Sequence, residues 1–497
     1  MSLAASDLPD DVEALKAMLL SAHRELAHRD LMIEKLRARL DKQLRDRFGS
    51  SAEGIEQLQL MLEDLEITRS AEAPSIALPP EPDDKPHRKP LPGHLPRRDQ
   101  TLDPGDACNA CGGKLKRVGE DITEELEYVP GRFVVNRIIR PRMACACCEA
   151  FQQASLPSRP IERGRPGPGL LAHVLVSKYA DHLPLYRQSQ IYAREGIDLE
   201  RSTLADWMGK TAALLTPLAE AIATHVRVGD AIHADDTPVD VLSPGRGKTV
   251  TGRLWTYVRD ERPWGGTAPP AAFYRFSMDR KGIHPAEHLA GYRGCVHADG
   301  YAGFGELFQT EGIHEVACLA HVRRKFFDLA RDGRSTMAAE AVARIAQLYA
   351  IEDEARGQPP DTRAAIRQAK ARPVFDDLAT WLRAQLQKIS AKSDLAKAIR
   401  YALTRLPKLE VYLSNGSVEI DNNAAERSIR GLAIGRKNWL FAGSEGGGLT
   451  AAVAYTLIET AKLNAIDPQA WLADVLGRIA DHPASRVDDL LPWNHAG

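Results

Sequence analysis

The sequence predicts a multidomain protein in which an α/β domain with a helical insertion follows an N-terminal coiled-coil helix and a zinc-ribbon-like domain. A chain of 497 residues is too long for one hydrophobic core and should divide into several domains. Five of the seven cysteines fall between Cys108 and Cys148, which predicts a small metal-binding domain. After Gly229 the apolar pattern changes from a helical period to the alternation typical of strands, which predicts a sheet.

The composition and the N-terminal sequence argue against a membrane-spanning protein and against a secreted one. No run approaches the roughly 18 apolar residues of a membrane span, and the N-terminus has no basic segment before an apolar core. We therefore expect a cytoplasmic protein with no membrane partner. The formal net charge of -2 gives no overall basic field, so any contact with nucleic acid must come from local patches.

The first segment, residues 1–48, is predicted to be a coiled-coil helix through which the chain forms a homo-oligomer. Its apolar residues recur at alternating steps of three and four, the spacing of a coiled-coil seam, and only Arg29 interrupts them. These residues are Val12, Leu15, Leu19, Ala22, Leu26, Ile33, Leu36 and Leu40. An amphipathic helix folded back on its own chain is the alternative. Residues 49–100 are expected to form a short helix and a proline-rich linker.

The next segment, residues 101–160, is predicted to bind zinc. The candidate ligands form two C-x2-C pairs: Cys108, Cys111, Cys145 and Cys148. Four thiolates suit tetrahedral Zn²⁺, and two such pairs favour structural zinc over redox chemistry, which would use one pair. The stretch between the pairs alternates about a Pro-Gly turn, as a β-hairpin does. Cys147 could replace either neighbour, whereas Cys295 and Cys318 are expected to be buried small residues.

The remaining segments alternate between helical and strand-like patterns. After Gly229, three neighbouring strands, then a strand, a helix and another strand, predict a mixed α/β sheet. A long helical block then interrupts this domain. The predicted segments are 161–225 (helical DNA-binding or connector region), 226–330 (α/β domain, first part), 331–414 (helical insertion), 415–460 (α/β domain, second part, with a glutamate on a helix) and 461–497 (C-terminal helical tail).

Acidic residues at strand positions form the candidate catalytic site. Asp235 and Asp236 lie inside an apolar strand pattern and Asp299 ends another, where an unpaired carboxylate needs a cation, hydrogen-bond donors or a raised pKa. Glu426 lies on a predicted helix that starts near Asp421. Each acid alone also fits a turn or a helix cap, such as an Asn-x-x-Glu capping box for Glu426. Together, two aspartates and a glutamate are ligands for Mg²⁺ or Mn²⁺, and a pair of such ions can catalyse phosphoryl transfer.

Basic, amide and aromatic side chains near these acids are the candidate DNA contacts. Helical spacing places Asn422, Asn423 and Arg430 on the same face as Glu426. His321 follows the last predicted strand, where it could position a phosphate, assist proton transfer or simply pack. The basic residues after it could equally form a solvated helix face. The predicted DNA-binding residues are His321, Arg323, Arg324, Lys325, Asn423, Arg427, Arg430, Arg436, Lys437 and Trp439.

Several stretches together resemble a known family. "HADDTPV", "HADGYAGF" and "CLAHVRRKFF" contain Asp235, Asp299 and His321, and "IDNNAAERSIRGLAIGRKNWLFAGS" contains Glu426. In these stretches, around the cysteines and at "RFGSSAE", the chain resembles the large DDE transposase of the insertion sequence 66 family. Such a colinear resemblance over nearly the whole chain is more specific than any one motif.

The resemblance implies a fold, an activity and a set of site residues. It implies an RNase H-like catalytic domain, a zinc-binding domain ahead of it, and DNA cleavage and strand transfer at element ends. It assigns the acids to Asp235, Asp299 and Glu426, and the chain departs from the usual family form at Asp236, where a glutamate is more common. It also implies two small accessory proteins encoded with the element.

The leading hypothesis is a nucleoid-associated DNA transposase with Mg²⁺ or Mn²⁺ at the acids and Zn²⁺ at the cysteines. Its expected partners are the terminal repeats of the element and target DNA. Two alternatives remain. One is an RNase H-like nuclease that only hydrolyses, and the other is a DNA regulator that binds element ends without catalysis.

Overall fold

The computed structural model describes residues 90–495 except 130, 163, 244–247, 331–334, 436–437 and 439–441. The predicted coiled-coil helix and almost all of the segment 49–100 lie outside the described residues. The described part consists of two β-sheets with helices packed on them, so the fold is mixed α/β. None of the helices in this part is long and apolar enough to span a bilayer.

The first sheet contains the cysteine-rich hairpin. Its strands are β1 (Arg97–Thr101), β2 (Leu115–Val129), β3 (Arg132–Cys145) and β4 (Phe151–Gln153). β2 and β3 pair antiparallel with Val129 opposite Arg132, which confirms the predicted hairpin. Its turn requires Gly131, whose φ of 85° lies in the left-handed region that glycine tolerates. β1 runs parallel to β3 and β4 runs antiparallel to it, so β3 is the strand to which the others pair.

The second sheet carries the candidate acids. Its strands are β5 (Ala231–Ser243), β6 (Lys248–Arg259), β7 (Ala271–Ser277), β8 (Gly294–Ala298) and β9 (Ile313–Ala317). Their order is β7-β6-β5-β8-β9, with β5, β6 and β7 antiparallel and with β8 and β9 parallel to β5. β5 therefore lies between an antiparallel half and a parallel half. Most residues of β8 are buried, as expected for a parallel strand covered on both faces.

The connection between β8 and β9 differs from the prediction. We predicted an α-helix there, but the segment forms two short 3-10 turns, Ala302–Phe304 and Leu307–Gln309. Gly303 and Gly305 fall in this segment, and glycine disfavours a regular helix. The α-helix of this region, Ile283–His288, instead precedes β8.

The helices pack on the second sheet and form the insertion. In chain order they are α1 (Pro168–Tyr179), α2 (Leu185–Arg194), α3 (Arg201–Arg227), α4 (Ile283–His288), α5 (Leu319–Ala330), α6 (Thr336–Ala355), α7 (Pro360–Ile366), α8 (Arg372–Leu386), α9 (Asp394–Ser414), α10 (Asn423–Gly435), α11 (Glu445–Leu463) and α12 (Pro468–Arg478). α11 covers the edge strand β7. Its Thr456 and Thr460 hydroxyls accept hydrogen bonds from the Tyr274 and Ala272 N–H groups at 2.9 and 3.2 Å, so the free edge of the sheet is partly satisfied.

A buried charge cluster ties the helical insertion to the segment that leads into α10. Arg367, in a π-helical turn between α7 and α8, donates two hydrogen bonds of 2.7 Å to Glu352. Arg363 pairs with Glu419 and donates to the Gly416 carbonyl at 2.6 Å. Removing one partner from a buried pair typically costs about 3–5 kcal/mol. The cluster therefore holds residues 416–419 against the insertion.

Candidate functional site

Two His-Ala-Asp stretches lie side by side on β5 and β8. The parallel register pairs His233 with His297. Because side chains two residues apart on a strand share a face, Asp235 continues the face of His233, and Asp299 follows directly after β8. The Asp299 carboxylate accepts a hydrogen bond of 2.8 Å from the Tyr301 N–H, which holds it in the turn after the strand. The register thus brings the two aspartates close enough that Asp299 acts on the pKa of Asp235.

The two histidines form a buried, neutral layer next to the aspartates. Their rings stack with 4.3 Å between centroids and 13° between planes. Burial lowers the pKa of His233 and holds that of His297 well below 6.5. Neither ring nitrogen of His297 has a hydrogen-bond partner among the described residues. The pair therefore adds no positive charge to the site at neutral pH.

Asp235 lies in an environment that disfavours its charged form. Burial, and then the carboxylates of Asp299, Asp236 and Glu426, raise its pKa to about 7. Among the ion pairs of the described residues, none joins Asp235 or Asp299 to a lysine or arginine. A cation between these carboxylates would supply the missing countercharge, and carboxylate oxygens are the ligands that Mg²⁺ and Mn²⁺ prefer. The donor set therefore fits hard divalent cations.

Asp236 forms ion pairs on the other face of the sheet from Asp235. Alternation along β5 turns its side chain to the opposite face of the sheet, where it is fully buried. There it pairs with Arg253 at 3.2 Å and with Arg280 at 2.7 Å. The Arg280 guanidinium in turn lies 3.5 Å from the centroid of the Tyr301 ring. Asp236 is thus a paired structural carboxylate, and Asp235 is the neighbour that remains for the acidic site.

Asn422 holds the start of α10 against the sheet. α10 begins at Asn423, slightly later than predicted. The Asn422 side chain accepts a hydrogen bond of 3.2 Å from His233 Nδ1 and donates one of 2.9 Å to the Ala234 carbonyl. Glu426 lies one turn further along α10, so these two buried bonds keep Glu426 near β5.

The capping-box interpretation of Glu426 is wrong. The Asn423 N–H donates to Asp421 Oδ1 at 3.1 Å, and the Asn423 amide group donates to Asp421 Oδ2 at 2.7 Å. Asp421 therefore satisfies the first N–H of the helix, and the Asn423 amide is turned toward Asp421. The Glu426 side chain is 39% exposed and lies 3.6 Å from His321 Nδ1, so its carboxylate is available to a ligand.

His321 and Glu426 also belong to a cluster that includes Cys318. His321 lies in the first turn of α5, and Cys318 immediately precedes this helix. One ligand atom from each of the three residues lies within 4.8 Å of the others. Cys318 is buried as predicted, and burial raises the pKa of its thiol to about 12. Its sulfur accepts a hydrogen bond of 3.2 Å from the Asn422 N–H.

Three predicted basic residues lie next to one another in α5. Arg324 and Lys325 are exposed. Arg323 is partly buried, with its guanidinium 5.5 Å from the centroid of the Phe327 ring. Lys325 lies 5.9 Å from the Tyr401 ring of α9. These side chains follow His321 on the same helix, and Lys325 lies one turn further along it.

The two predicted basic residues of α10 that the structure describes lie three residues apart, at neighbouring positions of the helix surface. Arg427 and Arg430 are both exposed. Arg427 lines a polar groove of about 260 Å³ together with Asp260, Arg262 and Lys462. Three further predicted contacts lie outside the described residues: Arg436, Lys437 and Trp439.

The four predicted zinc ligands meet at one point, where the loop before β2 approaches the turn between β3 and β4. The Cys111 sulfur lies 3.4 Å from the sulfurs of Cys145 and Cys148, and the Cys108 and Cys148 sulfurs are 3.7 Å apart. Tetrahedral zinc with Zn–S bonds of about 2.3 Å requires about 3.8 Å between sulfurs. The four residues therefore form a four-cysteine site of the right size for Zn²⁺.

Cys147 is not among the four clustered thiols. Its sulfur lies beside Gly113, where an added Cβ would approach it to 2.8 Å. Its backbone N–H instead donates to the Cys145 sulfur at 3.4 Å. The N–H groups of Cys148 and Cys147 lower the pKa of Cys145 to about 6, which favours the thiolate that zinc binds.

The sequence interpretation missed three features of the site. These are the stacked histidine pair, the Asn422 contacts and the arginines that pair with Asp236. The repeat of His-Ala-Asp at 233–235 and 297–299 was visible and could have predicted equivalent positions on two strands. No local signal predicts the contact of Asn422 with His233, because 189 residues separate them.

Asp235→Asn is expected to stabilise the metal-free protein above neutral pH. The folded-state pKa of about 7 lies above the ordinary value of about 3.9, so the stability contributed by protonated Asp235 is full below about pH 4 and lost as pH rises to about 7. Asparagine carries no charge and avoids this loss, a gain on the order of 4 kcal/mol at about pH 8. Urea unfolding in chelator across this pH range measures it. A difference between the variants that does not change with pH would contradict the environment assigned to Asp235.

Four family models match the chain in sequence order. They are described as Transposase C of IS166 homeodomain (35–99), zinc-finger binding domain of transposase IS66 (106–149), Transposase IS66 family (163–450) and IS66 C-terminal element (456–493). The second of these matches covers all four clustered cysteines, and the third covers the three acids.

Similar proteins of Sinorhizobium fredii (strain NBRC 101917 / NGR234) extend over nearly the same length. The uncharacterized protein y4hP is 43% identical over 93% of this chain and 88% of its own length. The uncharacterized protein y4qI is 39% identical over 99% of each chain. Because one family model covers more than half of the chain and these relatives cover nearly all of it, the chain belongs to the IS66 transposase family.

Proposed function

We propose that this transposase binds the ends of an insertion element and catalyses metal-dependent cleavage and strand transfer there, with Asp235, Asp299 and Glu426 as its acids. The observation that carries the proposal is that Asp235 on β5 is buried where the carboxylates of Asp299, after β8, and Glu426, on α10, both act on it; burial first and these carboxylates second raise its pKa to about 7. Perturbed carboxylates grouped in this way are typical of functional sites.

The strand order supports an RNase H-like catalytic domain. Three antiparallel strands are followed by two parallel ones, and the central strand carries the first acid. We place residues 226–330 and 415–460 in this domain, with 331–414 as its helical insertion. Segment 161–225 would connect it to the zinc domain of 101–160, and 461–497 would complete it as a C-terminal tail.

In the proposed reaction, the role of the protein's own side chains is to hold the three negatively charged acids in fixed positions. Mg²⁺ or Mn²⁺ ions, about two per site, would stabilise the attacking and leaving oxygens of an in-line phosphoryl displacement. Asp235 and Asp299 are fixed by neighbouring strands, and Asn422 holds the helix that carries Glu426. Positioning of this kind accounts for much of the rate enhancement in phosphoryl transfer.

The basic side chains of α5 and α10 would position the DNA. Arg324, Lys325, Arg427 and Arg430 are exposed and can contact phosphates, which fix register without reading sequence. His321 lies beside Glu426, where it can hold a phosphate near the acids. Arg323 supports this surface through its ring contact. Asn423, which is turned toward Asp421, and Arg436, Lys437 and Trp439 remain proposed contacts.

The other segments would assemble the protein on its DNA. The zinc domain would recognise element ends, and the N-terminal coiled coil would pair two chains. Accessory proteins encoded with the element would join this complex, which would be nucleoid-associated in the cytoplasm. The role of the zinc domain rests on the zinc-finger family match and that of the coiled coil on the heptad-like pattern of residues 12–40, whereas the accessory proteins are implied only by membership of the family.

The test is joining of labelled element ends to target DNA by the full chain, with Mg²⁺ and with chelator. We expect nicked ends and joined products only with the metal. Cleavage without joining would instead favour the hydrolytic nuclease. Nicking that survives alanine at all three acids would refute the acidic site, and end binding without any cleavage would favour the regulator.

A further inference from the structure

We infer that Cys318, His321 and Glu426 form a separate site for a thiophilic divalent cation such as Zn²⁺, and that occupation of this site inhibits the transposase by withdrawing Glu426 from the acidic site. The inference rests on the proposed function, in which Glu426 serves the hard cations. It concerns a set of ligands different from both the acidic triad and the four-cysteine site.

The local chain geometry brings the three ligands to one point. Cys318 and His321 are three residues apart at the start of α5, so their side chains lie on the same side of its first turn. Glu426 enters from α10, and the ligand atoms all lie within 4.8 Å of one another. Three protein ligands with one open position are a usual zinc arrangement, and cysteine, histidine and glutamate are all zinc ligands.

His321 supplies an independent indication of a missing ligand. Its Nδ1 is buried and has no hydrogen-bond partner among the described residues. The nearest carboxylate oxygen, Glu426 Oε1, is 3.6 Å away, which is too far for a hydrogen bond. Two ligands that each bind tetrahedral zinc at about 2.0–2.1 Å lie about 3.3 Å apart. The gap between His321 and Glu426 is therefore close to that of two atoms sharing one ion.

The ligand chemistry separates this site from the acidic one. A thiolate and an imidazole favour Zn²⁺ over Mg²⁺, which prefers oxygen donors alone. Zinc binding would release the Cys318 thiol proton to solvent. The Asn422 N–H already donates to this sulfur and would stabilise the resulting thiolate.

Zinc bound by Cys318, His321 and Glu426 would affect the site formed by Asp235 and Asp299. The Glu426 carboxylate bound to zinc beside a thiolate no longer contributes its negative charge to the hard-cation site. Two acids then remain to hold the catalytic ions. Micromolar zinc is thus expected to inhibit joining in competition with Mg²⁺.

The test uses the full chain with its four-cysteine site already loaded with zinc. Equilibrium dialysis should show one further Zn²⁺ per wild-type chain and none in Cys318→Ser, whose hydroxyl can still accept the Asn422 bond. Titration with Co²⁺ should give a new thiolate-to-cobalt charge-transfer band in the wild type only. Cys295→Ser is the matched control, since it removes another buried thiol outside the cluster and should keep the second ion.

The same proteins are compared for zinc inhibition of Mg²⁺-dependent joining. The inhibitory concentration should rise by at least about tenfold in Cys318→Ser, because loss of even an outer-shell partner weakens metal binding about 10–100-fold. If Cys318→Ser unfolds, His321→Gln serves for the dialysis and cobalt measurements. Equal ion counts and spectra in wild type and variants would overturn the inference. If neither the wild type nor any variant joins DNA, the proposed function fails. The ion counts then still show whether Cys318, His321 and Glu426 bind zinc.

Discussion

Asp235→Asn, Asp299→Asn and Glu426→Gln are each expected to lower strand transfer by about 10³-fold or more. Each amide keeps the shape of its side chain but removes an anionic metal ligand from the converging carboxylates. A bound metal contributes several kcal/mol of charge stabilisation in the transition state, and about 4 kcal/mol corresponds to about 10³ in rate. Joining of labelled ends under single-turnover conditions measures the loss.

Binding of element ends should survive these three substitutions. Asp240→Asn is the matched control, because Asp240 is on the same strand β5 but exposed and paired with Thr251 instead of with the acids. We expect it to join DNA at the wild-type rate. Wild-type joining by any acid variant would exclude that acid from catalysis. Loss of end binding in all three would indicate damaged folding and not lost chemistry.

Cys108→Ser and Cys145→Ser are expected to release the zinc of the four-cysteine site and to unfold the hairpin region around it. Both side chains are buried in a small cluster with little apolar packing of its own, so the metal replaces a core. Zinc contributes about 10–16 kcal/mol to the folding of small zinc modules. Elemental analysis and limited proteolysis of the region 101–160 measure both effects, and end binding should weaken by at least about tenfold.

Cys147→Ser provides the comparison for that experiment. Cys147 lies in the same loop as Cys145 and Cys148, but its thiol is outside the cluster. The Cys147→Ser variant should therefore retain zinc, and its binding to element ends should be unchanged. Zinc loss in Cys147→Ser with retention in Cys145→Ser would reverse the assignment of the two residues.

The features that the sequence predicted well are those specified by local patterns. The alternation around the Pro-Gly turn predicted the β2–β3 hairpin, and the two C-x2-C pairs predicted the cysteine cluster. Strand periodicity placed Asp235 within β5 and Asp299 at the end of β8. Local hydrogen bonding and side-chain alternation decide such features, so short windows of sequence contain the information.

The features that escaped prediction depend on contacts between distant segments. Whether Asp235 or Asp236 lies on the same face of the sheet as Asp299 depends on the register in which β5 pairs with β8, and Arg253 and Arg280 bind Asp236 on the opposite face. Asp421 accepts the first N–H of α10, and the Asn422 side chain bonds His233 and the Ala234 carbonyl, which lie far away in the sequence. Strand order and such pairings arise from packing across the whole domain, which periodicity does not encode.

The buried arginines of the insertion have a consequence for protein synthesis. Arg363 donates a hydrogen bond to Gly416 and pairs with Glu419, just before the segment that carries Glu426. Asp235 and Asp299 both precede the insertion in the chain. A nascent chain leaving the ribosome therefore carries two acids long before it acquires the third. Under the proposed mechanism, a polypeptide that is interrupted before residue 426 has no complete acidic set and so cannot cut the host genome.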